Sequence, residues 1–502
     1  MVGPLGDGGN YDTVTNLFDY PQMPLSSIYE GLMAYPSGQS RWAARNLLAR
    51  SIEKSPDGLA YRFVLRAGVQ FHRGFGELTA EDVKYSFERA AGLVPLYPGA
   101  AKDNTSFYAA DFSDLTGVTV TGRYSGEIRF RKPFVPFETI TLPFASSGWI
   151  VSRKAIEKYG ASASQNPVGT GPYELVSYSP NSHMKLRRFA HYHGGNQELG
   201  AHNAFDEIDL VLAPNSARSS GQALTVPIES GEVDFADTLG ALDVQLLADD
   251  PRFTAYRPKQ ALNSYFLAID AQHPVLRDIR VRQAIRCAVD IEEINLANRV
   301  PPSSRLKAAV ARELDVGYWP EAPSYERDVG KARRLLAQAG VRDLSLPIAT
   351  PNISITTGDP NAVMQVIQSN LKDVGIAVEI IATAPDSFVS QPGAAGLLWG
   401  NFAGAPDPYF QLEWFTHDQL GVWNYASWSE PEYDHLHDQL GTTTDPRQRK
   451  EIAVRMQRLM DSGSAYVFAS QAVNFGLSKS GVRAVFDGNG NPQLHYFYRV
   501  AS

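Results

Sequence analysis

The chain has 502 residues, 43% of them hydrophobic and 20% charged, which excludes intrinsic disorder and collagen-like repeats and leaves room for about three lobes. With 46 basic and 54 acidic residues the net charge is −8, whereas a nucleic-acid binder or a polybasic membrane-surface protein needs a basic footprint. The single cysteine, Cys287, excludes an internal disulfide and a four-cysteine zinc site.

In chain order, the segment 1–9 is glycine-rich, has no apolar run, and precedes the first basic residue, Arg41. No secretory signal is therefore read in it; the protein is expected to be cytoplasmic, or exported with its signal already removed. Asp57-Gly58 reads as a turn into a strand where Tyr61, Phe63 and Leu65 alternate with Arg62, Val64 and Arg66. Thr79-Ala-Glu-Asp82 has the spacing of a capping box, and the helix it opens carries Val83 and Phe87 and ends at Gly92. The segment 133–152 is the most apolar long stretch, but it holds Glu138 and three prolines and reads as strand and loop, not as a membrane span. Gly169-Thr-Gly-Pro-Tyr173 reads as a tight turn into a strand over 173–178.

A second helix follows Asp278, with Val281, Ala284, Ile285, Ala288 and Val289 on one stripe. A third carries Ala332, Leu335, Leu336 and Ala339 and stops at Gly340. A fourth carries Val363, Ile367, Leu371 and Val374, then Gly375 and a strand over 376–381. The stretch 384–408 reads as an aromatic loop. A last helix starts at Thr444-Asp445 with Pro446 in its first turn. The alternation implies an α/β or α+β protein.

Reactive constellations are not found. No G-x-S-x-G and no H-E-x-x-H is present. Ser51-Ile-Glu-Lys54 matches S-x-x-K but lacks the companion motifs. The 169–173 turn lacks the Lys-Ser/Thr that would hold a phosphate. If a helix carries His435 and His437 they point about 200° apart and cannot share a metal; on a strand they could, but no third ligand is in view for them or for His191 with His193. Cys287 beside an apolar stripe reads as a buried, inert thiol. No catalytic residue, metal or cofactor is expected.

Several elements occur in the order of one known family. They are Tyr29-Glu-Gly-Leu32; Ser55-Pro-Asp-Gly58 through Phe71-His72 with Leu78-Thr-Ala-Glu-Asp-Val83; Gly169-Thr-Gly-Pro-Tyr173; Glu229-Ser-Gly-Glu-Val-Asp234; Asp278 through Asp290; Lys331 through Gly340; and Glu432-Tyr-Asp434. The chain thereby resembles the family 5 extracellular solute-binding proteins, which serve ABC importers of peptides, nickel, opines and oligosaccharides. These elements are mostly turns, caps and core stripes, so Asp82, Arg282 and Asp290 are expected to be structural.

The resemblance implies a class II periplasmic-binding-protein-like fold of two main lobes plus an inserted domain. The implied lobes are 1–34 with 167–262 and 470–502, an insert over 35–166, and a third lobe over 263–469, with the ligand in a cleft between the first and third. It implies a non-enzymatic binding component that hands a small solute unchanged to a membrane permease. The protein is expected to be monomeric and periplasmic or lipid-anchored outside the cell, with no nucleic-acid partner.

Ligand contacts are implied at Leu17, Phe18 and Asp19, at Asn263 and Tyr265, at Trp399, Asn401, Phe402 and Asp407, and at Trp423, Asn424 and Tyr425. Aromatic faces beside amides and carboxylates suit a planar or sugar-like solute. Peptide-binding members place an aspartate where Asn401 stands; an amide cannot form that charge-assisted bond to an ammonium, so an opine or sugar conjugate competes with a peptide. Asp19 or Asp407 are the candidates to take over that charge. The rival from another class is a hydrolase using dispersed carboxylates.

Overall fold

The strand Ala60–Leu65 shows the predicted alternation: Tyr61, Phe63 and Leu65 are buried while Arg62 and Val64 face water. In the computed structural model it pairs antiparallel with Ala49–Lys54 and Ser125–Phe130, and Leu115–Gly122 completes a four-stranded sheet. The helix Ala80–Ala90 lays Val83 and Phe87 into a core with Phe63, Phe112 and Phe137. Its start is fixed as the spacing predicts, the Thr79 N–H donating to Asp82 Oδ2 at 3.0 Å. The structure describes residues 2–3, 10–15, 19–36, 42–101, 106–109, 112–179, 182–212, 222–256, 262–350, 358–381, 392–394, 396–472, 475–487 and 490–500.

The chain divides into two compact units. The first comprises Met1–Leu239, Asp243–Arg257 and Phe475–Ser502 and contains the sheet just described. It also holds a seven-stranded sheet in the order Phe253–Tyr256, Phe475–Lys479, Phe235–Leu239, Val2–Gly3, Glu207–Leu212, His183–Arg188, Tyr173–Ser179. Turn 169–173 feeds the last of these strands and must be glycine-rich. A Cβ on Gly169 would lie 2.1 Å from the Ile28 carbonyl oxygen, and one on Gly171 2.5 Å from that of Ser27.

The second unit comprises Gly240–Leu242 and Pro258–Asn474. Its five-stranded sheet runs Ala377–Ile380, Ser345–Ala349, Leu397–Phe402, Ser264–Ile269, Tyr466–Gln471. Helices Ile279–Ala288, Ile291–Ala297, Val329–Gln338 and Pro360–Lys372 contribute to one aliphatic cluster with this sheet. Each begins on an aspartate, Asp278, Asp290, Asp328 and Asp359, whose side chain accepts a backbone N–H of the first turn. Helix Pro446–Gly463 is capped the same way by Asp445.

Asp82 and Asp290 are thus caps. Arg282 is a buried cross-brace, its guanidinium donating to the carbonyls of Leu276, Arg277 and Gly463. Cys287 is buried, and burial pushes its thiol pKa up.

Two readings are corrected. The segment 133–152 contains no strand: Phe137–Thr141 winds as a wide helical turn and Ser146–Gly148 as a short 3₁₀ turn. Pro136 leads into it with φ preset for a helical start. The stretch 384–408 is not all loop, because Leu397–Phe402 is a central strand, while 384–391 and 395 lie outside the described residues. Leu397 to Gly400 are all buried, so this strand has no apolar–polar alternation for the sequence to show. Among the described residues no helix is long and apolar enough to cross a membrane.

Candidate functional site

The candidates from the second unit gather around one strand pair. Ser264–Ile269 runs antiparallel to Leu397–Phe402, with Tyr265 opposite Asn401 and Leu267 opposite Trp399. Side chains directly across an antiparallel pair share a face, and neighbours along a strand alternate. Trp399 and Asn401 therefore lie on the face of the aliphatic cluster, and Phe402 on the other. Tyr265 stacks on Trp399, centroids 5.6 Å apart and planes 6° from parallel, and both are buried.

On the opposite face Phe402 meets Phe266, Phe415 and Tyr425 at 4.7, 5.6 and 5.0 Å between centroids. Tyr425 is buried there, and desolvation pushes its phenol pKa above the ordinary range. Trp414 stacks on Phe402, and Trp423 meets Trp414 edge-on at 5.8 Å. Trp423 and Asn401 are half-buried, so they retain surface that a solute can touch.

Polar candidates in this unit are engaged internally. Asn424 donates from its amide to the carbonyls of Phe415, Thr416 and Trp428, at 3.1, 3.0 and 2.7 Å. Its Oδ1 accepts from the Tyr466 hydroxyl at 3.0 Å and from the Trp428 N–H at 3.3 Å. The amide's bonding capacity is thereby used in fixing the turn over 415–428. Asn263 accepts from the Gly404 N–H at 2.8 Å.

Asp407 accepts the Tyr409 N–H at 2.8 Å and pairs with Arg449 at 2.6 Å, with both side chains only 4% exposed. A carboxylate so held has its charge answered inside the unit. The structure thus gives Trp399, Tyr265, Asp407 and Asn424 packing and pairing roles that their sequence positions do not reveal. Leu17 and Phe18 lie outside the described residues, as does the Asp19 side chain, although its backbone begins the helix Asp19–Ile28.

In the first unit the family-like elements converge on one buried acid. Glu30 accepts from Thr170 Oγ1 at 2.9 Å, from the Tyr192 hydroxyl at 2.7 Å and pairs with His193 Nε2 at 2.8 Å. Its side chain is 3% exposed. Burial pushes the carboxyl pKa up, but the His193 charge and the three hydrogen bonds outweigh it, and the net shift is downward. The sequence placed Glu30 and Thr170 in motifs but gave no sign that they touch.

One histidine of each pair is held in the fold, His193 by Glu30 and His437 by burial, while His191 and His435 are exposed. On helix Pro431–Thr442, His437 is buried, stacks on Tyr409 at 4.1 Å and has its pKa pulled down to about 4 by desolvation. Among the described residues no three His, Cys, Asp or Glu side chains are placed to hold a metal ion.

Comparison with known proteins adds the following. The family described as bacterial extracellular solute-binding proteins, family 5 Middle, matches residues 43–421. Di/tripeptide-binding protein 2 of Pseudomonas aeruginosa (strain UCBPP-PA14) is 26% identical over 470 residues, covering 88% of this chain and 83% of its own. Among solved structures, a dipeptide-binding protein of Pseudoalteromonas sp. SM9913 in complex with Met-Leu superposes with TM-score 0.83 at 19% identity, covering 99% of both chains. The binding protein MoaA of A. tumefaciens R10 in complex with mannopinic acid superposes with TM-score 0.81 at 21% identity, covering 100% of this chain and 98% of its own.

Proposed function

The chain belongs to the family 5 bacterial extracellular solute-binding proteins, the binding components of ABC importers, and has their class II periplasmic-binding-protein-like fold; from this we propose that it captures a small solute and delivers it chemically unchanged to a membrane permease. The observation that carries this reading is the family match over residues 43–421, three quarters of the chain. The protein acts outside the cytoplasmic membrane, periplasmic or lipid-anchored, as a monomer, without catalysis and without a nucleic-acid partner. The net charge of −8 supports the last point. The three-lobe division of 1–34 with 167–262 and 470–502, 35–166, and 263–469 remains part of the proposal. The separate four-stranded sheet, which lies wholly between residues 49 and 130, supports an insert there.

For the solute contacts we retain Asn401 and Trp423, which keep exposed surface in the second unit, with Phe402 and Tyr425 in the aromatic group that Trp423 adjoins on the face opposite Asn401. Leu17, Phe18 and Asp19 remain candidates from the first. Asn263, Tyr265, Trp399, Asp407 and Asn424 hold this set in shape. Two ligand classes follow. A non-peptide solute such as an opine or sugar conjugate is favoured by the amide at position 401. A di- or tripeptide is the second reading, favoured by what the Pseudomonas relative is named for.

One substitution separates the two. Asn401→Asp introduces a carboxylate able to form a charge-assisted bond to an ammonium, roughly twice as strong as a neutral one. Calorimetry with Met-Leu and with mannopinate should show Met-Leu affinity rising about tenfold in the variant, a difference of about 1.4 kcal/mol. Identical affinities for both probes in both proteins place Asn401 outside the solute contacts.

A further inference from the structure

The second unit holds a cavity of about 40 Å³ against the first residues of its edge strand Tyr466–Gln471, beside the end of helix Pro446–Gly463. Every stretch that lines it falls within the described runs 262–350 and 396–472. One wall, the segment 305–310, is fixed at both ends. The Leu306 N–H donates to the Ala469 carbonyl at 3.1 Å, and the Val310 N–H donates to Gln457 Oε1 at 3.1 Å. The Gln457 amide also donates to the Gly317 carbonyl at 2.8 Å, which anchors the chain just ahead of Trp319.

On this lining cations outnumber acids: Arg286, Arg305 and Lys307 against Asp461. Asp461 is already shared, accepting from Arg286 Nη1 at 3.0 Å and from the Tyr325 hydroxyl at 2.8 Å. Arg305 meets Glu292, which lies outside the lining, at 3.1 Å, but the Glu292 side chain is 69% exposed and water screens the pair. Burial pulls the Arg305 pKa below its ordinary value against the charges of Glu292 and Asp290, so this cation is incompletely compensated. Lys307 is exposed and, among the described residues, has no ion-pair partner. Arg458 adds a further positive charge 5.5 Å from the Trp319 ring centroid.

Two buried donors on the same lining have no acceptor among the described residues, the Trp319 indole N–H and Arg286 Nε. Trp319 is only 8% exposed. A buried N–H without an acceptor is costly, and an anionic acceptor answers it best. The rest of the lining includes Ala309, Met460 and Val467, which suit an alkyl group and not a fourth polar oxygen.

We propose that this cavity binds the carboxylate of a small organic acid, its oxygens accepting from Trp319 Nε1 and Arg286 Nε, its charge answered by Lys307 and Arg305, and its alkyl part against Ala309, Met460 and Val467. The site lies wholly within the second unit and goes beyond the solute contacts proposed above, none of which it shares.

Titration of the full chain with propionate tests it, against propionamide as the neutral analogue of the same shape, at constant ionic strength. The chain has seven tryptophans, and the indole N–H resonance lost in Trp319→Phe identifies that of Trp319. This resonance is expected to shift saturably with propionate, and propionamide is expected to bind about tenfold more weakly. Trp319→Phe keeps the ring and removes the donor, and calorimetry should show propionate weakened about tenfold. Lys307→Gln, at an exposed position, should weaken it about threefold with the melting temperature unchanged. Should Trp319→Phe fail to fold, the resonance that moves most with propionate in the native protein is expected to move less in Lys307→Gln at the same propionate concentration. A Trp319 resonance unmoved at tens of millimolar propionate, equal affinity for propionate and propionamide, or tighter binding of inorganic phosphate would each overturn the proposal. Such a failure leaves the import role standing, because no residue tested here is among the solute contacts.

Discussion

Arg449→Ala should lower the stability of the second unit by about 3–5 kcal/mol, the range expected when a buried ion pair loses one partner. Arg449 sits in the first turns of helix Pro446–Gly463 and donates to the Leu440 carbonyl at 2.5 Å as well as to Asp407. Asp407 in turn caps helix Pro408–Glu413. One guanidinium thus ties together a helix N-terminus, the C-terminal turn of Pro431–Thr442 and the start of the long helix. Its loss removes the counter-charge that Arg449 gives to a carboxylate only 4% exposed. For a unit of this size the melting temperature should fall by about 10 °C.

The same experiment decides what Asp407 does. If it is structural, Asp407→Asn lowers the melting temperature and leaves the affinity of the folded protein for its solute intact. If it faces an ammonium of the solute, Asp407→Asn abolishes binding and barely moves the melting temperature. The buried pair with Arg449 predicts the first outcome.

Glu30→Gln should destabilise the first unit by a similar amount at neutral pH and change how stability responds to acid. The native carboxyl has a pKa held below its ordinary value of 4.5. A group with a depressed folded pKa contributes stability above its unfolded pKa and loses that contribution as pH falls through the folded one. The melting temperature of the native protein should therefore decline as pH drops below about 4.5. The Gln variant starts lower at pH 7 and should show a shallower decline over the same window. Thermal unfolding at several pH values between 3 and 7 reads both curves. Parallel curves would mean that the Glu30 carboxyl has the same pKa in the folded and the unfolded chain.

Local chemistry was the legible part of this sequence. Asp278 and Asp445 announced helix starts because a cap acts on backbone N–H groups two or three residues away. The alternation at Tyr61, Phe63 and Leu65 and the glycines of 169–173 are likewise local, and the structure reproduces them. Long-range pairing was not legible. The central strand of the seven-stranded sheet, Val2–Gly3, lies between Glu207–Leu212 and Phe235–Leu239, more than 200 residues away. No periodicity encodes such a neighbour.

The candidate site divides along the same line. Trp399, Asn401 and Phe402 were grouped by proximity in sequence, but a strand sends neighbours to opposite faces. Asn424 resembles a ligand contact until Tyr466, 42 residues on, is seen donating to its side chain. Asp407 resembles a free carboxylate until Arg449, also 42 residues on, is placed beside it. Arg286 and Trp319 offered no signal, because nothing in sequence connects two residues so far apart to one cavity.

The central claim is capture and release without chemistry, and mass spectrometry of the protein's own cargo tests it most directly. The purified protein is unfolded, the small molecule it releases is identified, and that molecule is incubated in large excess with refolded protein for a day. The account predicts one equivalent bound per chain and recovery of every remaining molecule with unchanged mass. A product accumulating beyond one equivalent per chain would contradict it and bring back the hydrolase reading.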